Sequence, residues 1–176
     1  MVSKPNLYLI GYRGSGKSTL APRIASLLGF QCVDTDRLLE TQLGEPISDF
    51  FKRCGESEFR RIESQTILQV SKASDQVISL GGGAVLASEN RDLICQTGKV
   101  VWLRCSLDTL AARLNKDQSG AFGRPSLTGK GVVEEIQEVL QVREPIYQEM
   151  ADWIVDADAM DPHGLCEQIV RWWKVA

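Results

Sequence analysis

The chain has 176 residues, 20 Lys+Arg against 23 Asp+Glu, a formal charge of −3 and 43% hydrophobic residues. A core of ordinary size forms in a domain of ~100 to 200 residues, so a single domain over 1–176 is expected. A slightly acidic chain with no Lys/Arg run lacks the sequence-independent attraction to phosphate backbones, which excludes nucleic acid from the expected partners.

Leu7-Tyr8-Leu9-Ile10 is an apolar run that stops at Gly11, and after a Gly-rich stretch Leu20, Ile24, Leu27 and Leu28 recur at helical spacing. The pattern predicts strand, loop, helix. It returns as 31–33 followed by helical sequence to about Val70, as 76–80 followed by 87–95, and as 99–103 followed by 107–114. Residues 115–131 carry Gly, Pro, Ser, Asp, Lys and Thr without apolar periodicity, which predicts a mobile lid loop. A short strand at 153–155 and a helix from about 162 to 173 close the chain. Strands alternating with helices predict a parallel sheet, and strands that barely alternate predict cover on both faces. The expected fold is three-layer α/β/α with five parallel strands.

Five cysteines (Cys32, Cys54, Cys95, Cys105 and Cys166) are scattered, with no C-x-x-C, and read as reduced, mostly buried thiols. No apolar run approaches the ~18 residues of a membrane span, and 7–10 is too short for a signal-peptide core. The expected location is the cytoplasm, with no membrane partner. Trp172 and Trp173 are expected to pack the last helix or sit half exposed, and His163 to be solvated or capping.

Gly11-Tyr12-Arg13-Gly14-Ser15-Gly16-Lys17-Ser18 matches G-x-x-x-x-G-K-S/T between a strand and a helix, where phosphate binding requires it. Gly14, Ser15 and Gly16 turn backbone N–H groups around a β-phosphate, and the following helix adds the positive end of its dipole. Lys17 reaches β/γ oxygens, Ser18 places its hydroxyl on Mg²⁺, and Thr19 supports the first helical turn. A nucleoside triphosphate and Mg²⁺ are the ligands this predicts.

The strand at 76–80 ends in Gly81-Gly82-Gly83 with no carboxylate, so the metal-side acid comes from elsewhere. Asp34-Thr35-Asp36 lies at the C-terminal end of the second strand, the edge where open α/β sheets bind ligands. Two acids two apart on an extended segment point the same way. Asp34 is thus expected near Mg²⁺ and Asp36 facing an acceptor; helix capping by either remains the alternative. The three glycines allow a ligand to approach the backbone. Arg60 and Glu63 share a helix face, and Arg143 lies near the end of another helix; either arginine alone reads as solvated.

In order, G-x-x-G-S-G-K-S-T, Asp-Thr-Asp, Phe-Arg-Arg-Ile-Glu, Leu-Gly-Gly-Gly-Ala, Arg-Pro-x-Leu and Arg-Glu-Pro-x-Tyr make the chain resemble the shikimate kinase family from Leu7 to about Asp156. The resemblance implies a P-loop fold of the nucleoside monophosphate kinase type and transfer of the ATP γ-phosphoryl group to the 3-hydroxyl of shikimate. It makes shikimate the small-molecule partner, with a monomer as the default. It implies that Lys17 and Ser18 are phosphate and metal residues, Asp34 the metal-side acid, and Asp36 the acid that holds the substrate hydroxyls and acts as base. Arg60 and Arg143 match the carboxylate-binding pair, Gly81, Gly82 and Gly83 the turn that meets substrate, and Glu63 an acid orienting that shell. Arg113 matches the arginine stacked on adenine and Arg124 the lid arginine, with a substrate-binding helical segment at about 36–63.

An anionic polyol needs a guanidinium fork for its carboxylate, which agrees with this assignment. Two departures stand out: Ser126 follows Arg124-Pro125 where the family usually has Leu, and 157–162 lacks an arginine found in some members. A gluconate-type sugar-acid kinase and a non-catalytic nucleotide-binding regulator are the competing readings. Arg60, Gly81 to Gly83 and Arg143 favour shikimate over the first, and intact Asp36 and Arg124 argue against the second.

Overall fold

Every side chain of β1 (Asn6–Ile10) is buried, and alternate residues feed two different cores. Leu7 and Leu9 face one side of the sheet and Tyr8 and Ile10 the other, as the two-residue period of a central strand dictates. The computed structural model describes residues 5–116 and 131–175. Nearly all of the segment read as a lid, including Arg124, lies outside the described residues.

After β1 come α1 (Lys17–Leu28), β2 (Gln31–Asp34), α2 (Thr35–Leu43), α3 (Ile47–Val70), β3 (Gln76–Ser79), a 3₁₀ turn (Ala84–Leu86), α4 (Ser88–Thr97) and β4 (Gly98–Arg104). Then follow α5 (Leu107–Lys116), α6 (Val132–Met150), β5 (Trp153–Asp156) and α7 (Pro162–Val175). The five strands form one parallel sheet in the order β2-β3-β1-β4-β5. The three-layer α/β/α expectation is met.

One core packs Leu20, Ile24, Leu110, Leu165 and Ile169 of α1, α5 and α7 against Leu7, Leu9, Val101 and Leu103. The opposite core packs Ile67 of α3, Ile94 of α4 and Tyr147 and Met150 of α6 against Tyr8, Ile10, Ile78 and Trp102. Each fully buried aliphatic or aromatic side chain contributes ~1.5 to 3 kcal/mol of transfer free energy, so both helical layers are firmly seated. A third, smaller cluster of Leu39, Ile47, Phe50 and Phe59 joins α2 to α3 away from the sheet.

The helical stretch expected up to Val70 is interrupted. Gly44 ends α2, and Pro46 starts α3 in a conformation whose fixed φ suits a helix entrance. Gly55, at φ 80° and ψ 173°, kinks α3 in a region closed to L side chains. The cysteines also differ from expectation. All five are free thiols, yet only Cys105 and Cys166 are buried, because Cys32 lies on the edge strand β2 and Cys95 on the outer side of α4. Trp172 stacks on Trp153 at 5.3 Å and Trp173 meets Phe30 edge-on at 5.7 Å, so both pack the last helix as expected. His163 is exposed, 3.6 Å from Glu167.

Candidate active site

The loop after β1 enters α1 through Gly16, whose φ of 102° no side-chain-bearing residue adopts without strain. Lys17 then begins the helix with its ammonium folded back over the loop. Its Nζ donates to the carbonyls of Gly11 at 2.8 Å and Tyr12 at 2.9 Å and to Ser15 Oγ at 3.5 Å. The loop is braced from β4 and α5, since Arg113 Nη1 donates to the Gly14 carbonyl at 3.0 Å and the Cys105 thiol lies 3.7 Å from the Ser15 carbonyl. Burial pushes the Cys105 thiol up to about 11.

Asp34 ends β2 and caps α2, its Oδ1 accepting from the N–H groups of Asp36 at 3.1 Å and Arg37 at 3.2 Å. The capping alternative is therefore realised at Asp34, while its Oδ2 takes no part in the cap. The expectation that both acids lie on extended chain is corrected: Asp36 already sits in the first turn of α2, because the cap starts the helix at Thr35.

Asp34 is paired in register with Ser79 across β2 and β3, and Ser79 Oγ is 3.3 Å from Ser18 Oγ. A carboxylate and two hydroxyls adjoin, a hard-oxygen set of the kind Mg²⁺ prefers. Among the described residues no group of three or more His, Cys, Asp or Glu is placed to hold a metal by itself. A Mg²⁺ ion bound here would draw its remaining ligands from water and phosphate, its usual habit.

Gly81-Gly82-Gly83 follows β3 as a turn closed by the Ala84 N–H donating to the Gly81 carbonyl at 3.0 Å. Two guanidinium groups press on it. A Cβ at Gly83 would lie 2.5 Å from Arg60 Nη2, and one at Gly82 would lie 3.3 Å from Arg143 Nη1. Arg60 comes from α3 and is steered by carboxylates of its own helix, donating to Glu63 at 2.5 Å and to Glu56 at 3.2 Å. Arg143 comes from α6, where it is buried well inside the helix, seven residues before Met150, and not near the end as expected. The Tyr147 hydroxyl, also on α6, donates to the Gly82 carbonyl at 2.7 Å.

Gly14 to Thr19, Asp34, Asp36, Gly82, Arg113 and Arg143 line one cleft of about 660 Å³. Arg60, Gly81 and Gly83 are not part of its lining; the Arg60 guanidinium rests against Gly83, held by Glu56 and Glu63. Sequence reasoning passed over Ser79, Thr35, Tyr147 and Glu135. Glu135, whose carboxylate is 3% exposed, pairs with Arg13 of the phosphate loop. Tyr147 stood within the Arg-Glu-Pro-x-Tyr motif, which was the available signal.

The family model described as shikimate kinase matches residues 13–174. A shikimate kinase of Rhodopirellula baltica is 39% identical over 170 residues, covering 97% of this chain and 91% of the relative. Shikimate kinase 2 of Yersinia enterocolitica is 42% identical over 165 residues, covering 94% of this chain and 93% of the relative. The crystal structure of an Acinetobacter baumannii shikimate kinase in complex with shikimate superposes with a TM-score of 0.90 at 28% identity, covering 98% of this chain and 94% of that one. Family match, near full-length relatives and a shared phosphate-loop architecture agree: the chain belongs to the shikimate kinase family, ATP-dependent kinases whose reaction moves the γ-phosphoryl group to shikimate.

Proposed function

We propose that this chain carries out that reaction in the cleft after β1, β2 and β3, giving shikimate 3-phosphate and ADP. One observation carries the reading: a phosphate loop, the Asp36 carboxylate and the Arg143 guanidinium line the same cleft. Lys17, held on loop carbonyls, exchanges those partners for β- and γ-phosphate oxygens when nucleotide enters. Ser18 and Asp34 would hold Mg²⁺, with Asp34 using the oxygen not committed to the α2 cap. A Mg²⁺ ion held by these residues would offset the negative charge that gathers on the phosphates during transfer.

Asp36 accepts a hydrogen bond from the acceptor hydroxyl and takes its proton as the phosphoryl group transfers. Arg143 and Arg60, meeting over adjacent glycines, form the fork for the substrate carboxylate, with Arg60 aligned by Glu63. Arg113 keeps the nucleotide side of the loop in shape from α5. Arg124 and the lid at about 115–131 complete the clamp as a proposal from sequence resemblance. The substrate-binding segment at about 36–63 is supported by the α2–α3 cluster, a packing unit of its own beside the sheet cores. Five free thiols fit a cytoplasmic location, and no helix among the described residues is long and apolar enough to cross a membrane. We take the monomer as the working assembly.

The test is ADP release from Mg-ATP with shikimate, quinate and gluconate as separate acceptors beside a no-acceptor blank. Shikimate-dependent turnover far above the others is expected. Turnover only with another acid would keep the kinase and move the substrate, and nucleotide binding without turnover would favour a regulator.

A further inference from the structure

The turn at Gly81–Gly83 has no side chains with which to hold itself, yet both carboxylate-fork arginines rest against it. Two hydroxyls hold it. Thr35 Oγ1 accepts from the Gly81 N–H at 3.0 Å and donates to the Ser79 carbonyl at 3.3 Å. The Tyr147 hydroxyl donates to the carbonyl of the next residue, Gly82, at 2.7 Å. Both Thr35 and Tyr147 are fully buried.

The placement of the two anchors in sequence gives them more than a local role. Thr35 lies between Asp34 and Asp36, so its hydroxyl ties the start of α2 to the turn. Tyr147 follows Arg143 by four residues on α6, which puts both on one helix face. The hydroxyls of Thr35, next to Asp36, and of Tyr147, one helical turn after Arg143, thus both hydrogen-bond main-chain atoms at the start of the glycine turn. A glycine turn loses more conformational entropy on ordering than any other, so releasing one anchor lets it wander.

We propose that Thr35 and Tyr147 are positioning residues for the acceptor side of the site: together they set the Gly81–Gly83 turn, and through it the spacing between Asp36 and the arginine fork. The proposal rests on the reaction assigned above. It requires that losing an anchor weakens acceptor binding and leaves ATP binding intact.

Tyr147→Phe is the primary variant, since the ring keeps its packing on Trp102, 5.6 Å away, and loses only the hydroxyl. We expect the shikimate KM to rise ~10-fold, which a lost hydrogen bond of ordinary strength supplies, while the ATP KM stays within about twofold. Thr35→Val should act in the same direction and Thr35→Ser should restore wild-type behaviour. Amide hydrogen exchange supplies a readout independent of turnover: Gly81 should exchange faster in Thr35→Val, with β1 and α6 unchanged. Should Thr35→Val fail to fold, Tyr147→Phe and Thr35→Ser decide. An unchanged shikimate KM in Tyr147→Phe, or a parallel rise in both KM values, overturns the proposal. Wild-type protein inert toward shikimate would instead overturn the assigned reaction, and exchange at Gly81 would then decide the anchoring by itself, unchanged exchange refuting it.

Discussion

Arg13, in the phosphate loop, pairs with Glu135, 122 residues further along the chain in the first turn of α6. The same helix carries Arg143 and Tyr147, so the pair fastens the phosphate loop to the element that supports the glycine turn. Glu135→Ala removes a buried carboxylate and with it the ion pair to Arg13, whose side chain is 21% exposed. We expect a loss of about 1 to 3 kcal/mol, the range for removing a charge-assisted, partly buried hydrogen bond. Urea denaturation measures it, and a midpoint equal to that of the wild type would show the pair to be energetically idle.

Asp36→Asn keeps the shape of the side chain and removes its basicity. Turnover should fall by ~10² or more with ATP affinity retained, since a positioned acid or base contributes about that factor. Steady-state kinetics beside nucleotide calorimetry separates the two. A near-normal kcat would take Asp36 out of proton transfer.

Arg143→Ala takes one arm from the fork. Shikimate affinity should drop by ~2 to 5 kcal/mol if its carboxylate is left desolvated and unpaired. Isothermal titration reads this directly, and an unchanged Kd would reduce Arg143 to a packing residue of α6.

Two glycine-to-alanine changes should behave in opposite ways. At Gly98 a Cβ would lie 2.1 Å from the Asn6 carbonyl oxygen, main chain that is locked in the β1–β4 ladder. Gly98→Ala should therefore destabilise the fold by ~1 to 3 kcal/mol, the range for overpacking. At Gly83 the obstacle is the tip of Arg60, a side chain that can move. Gly83→Ala should leave Tm close to that of the wild type and raise the shikimate KM. Thermal unfolding and kinetics on both variants check the contrast.

Cys105 carries a pH signature. Burial raises its thiol from 9.0 to about 11, so between those values the unfolded chain releases a proton that the folded chain keeps. The unfolded state binds fewer protons there, and stability must fall as pH rises through that window. Cys105→Ala should flatten the decline in a denaturation series from pH 8 to 11. An identical slope in the variant would show that other groups account for it.

The phosphate loop and the strands that flank it could be read from the chain because their signals are local: an apolar run, three glycines and Lys17 within a dozen residues. The break between α2 and α3 had a local signal too, in Gly44 and Pro46, but the apolar periodicity on either side masked it. The anchors of the glycine turn could not be read that way. Thr35 and Tyr147 act on main-chain atoms 46 and 65 residues away, and a hydroxyl does not announce which carbonyl or N–H it will meet. Glu135 carries no sequence signal beyond being an acid in the first turn of a helix; only tertiary packing buries it against Arg13. Asp34 reads as metal-side acid or cap, and the structure assigns the cap to Oδ1 and sets the residue in the cleft lining.

The strand order has a geometric result of its own. With β3 lodged between β1 and β2, the phosphate loop and the segment carrying Asp36 leave the same sheet edge two strand spacings apart. That distance is about 10 Å, given ~4.8 Å per spacing. Backbone ladders on both sides of β3 hold it, so exchanges among Val77, Ile78 and their neighbours alter the filling and not the width. An interposed strand thus works as a gauge block between donor and acceptor, cut by peptide geometry and blind to the side chains it carries.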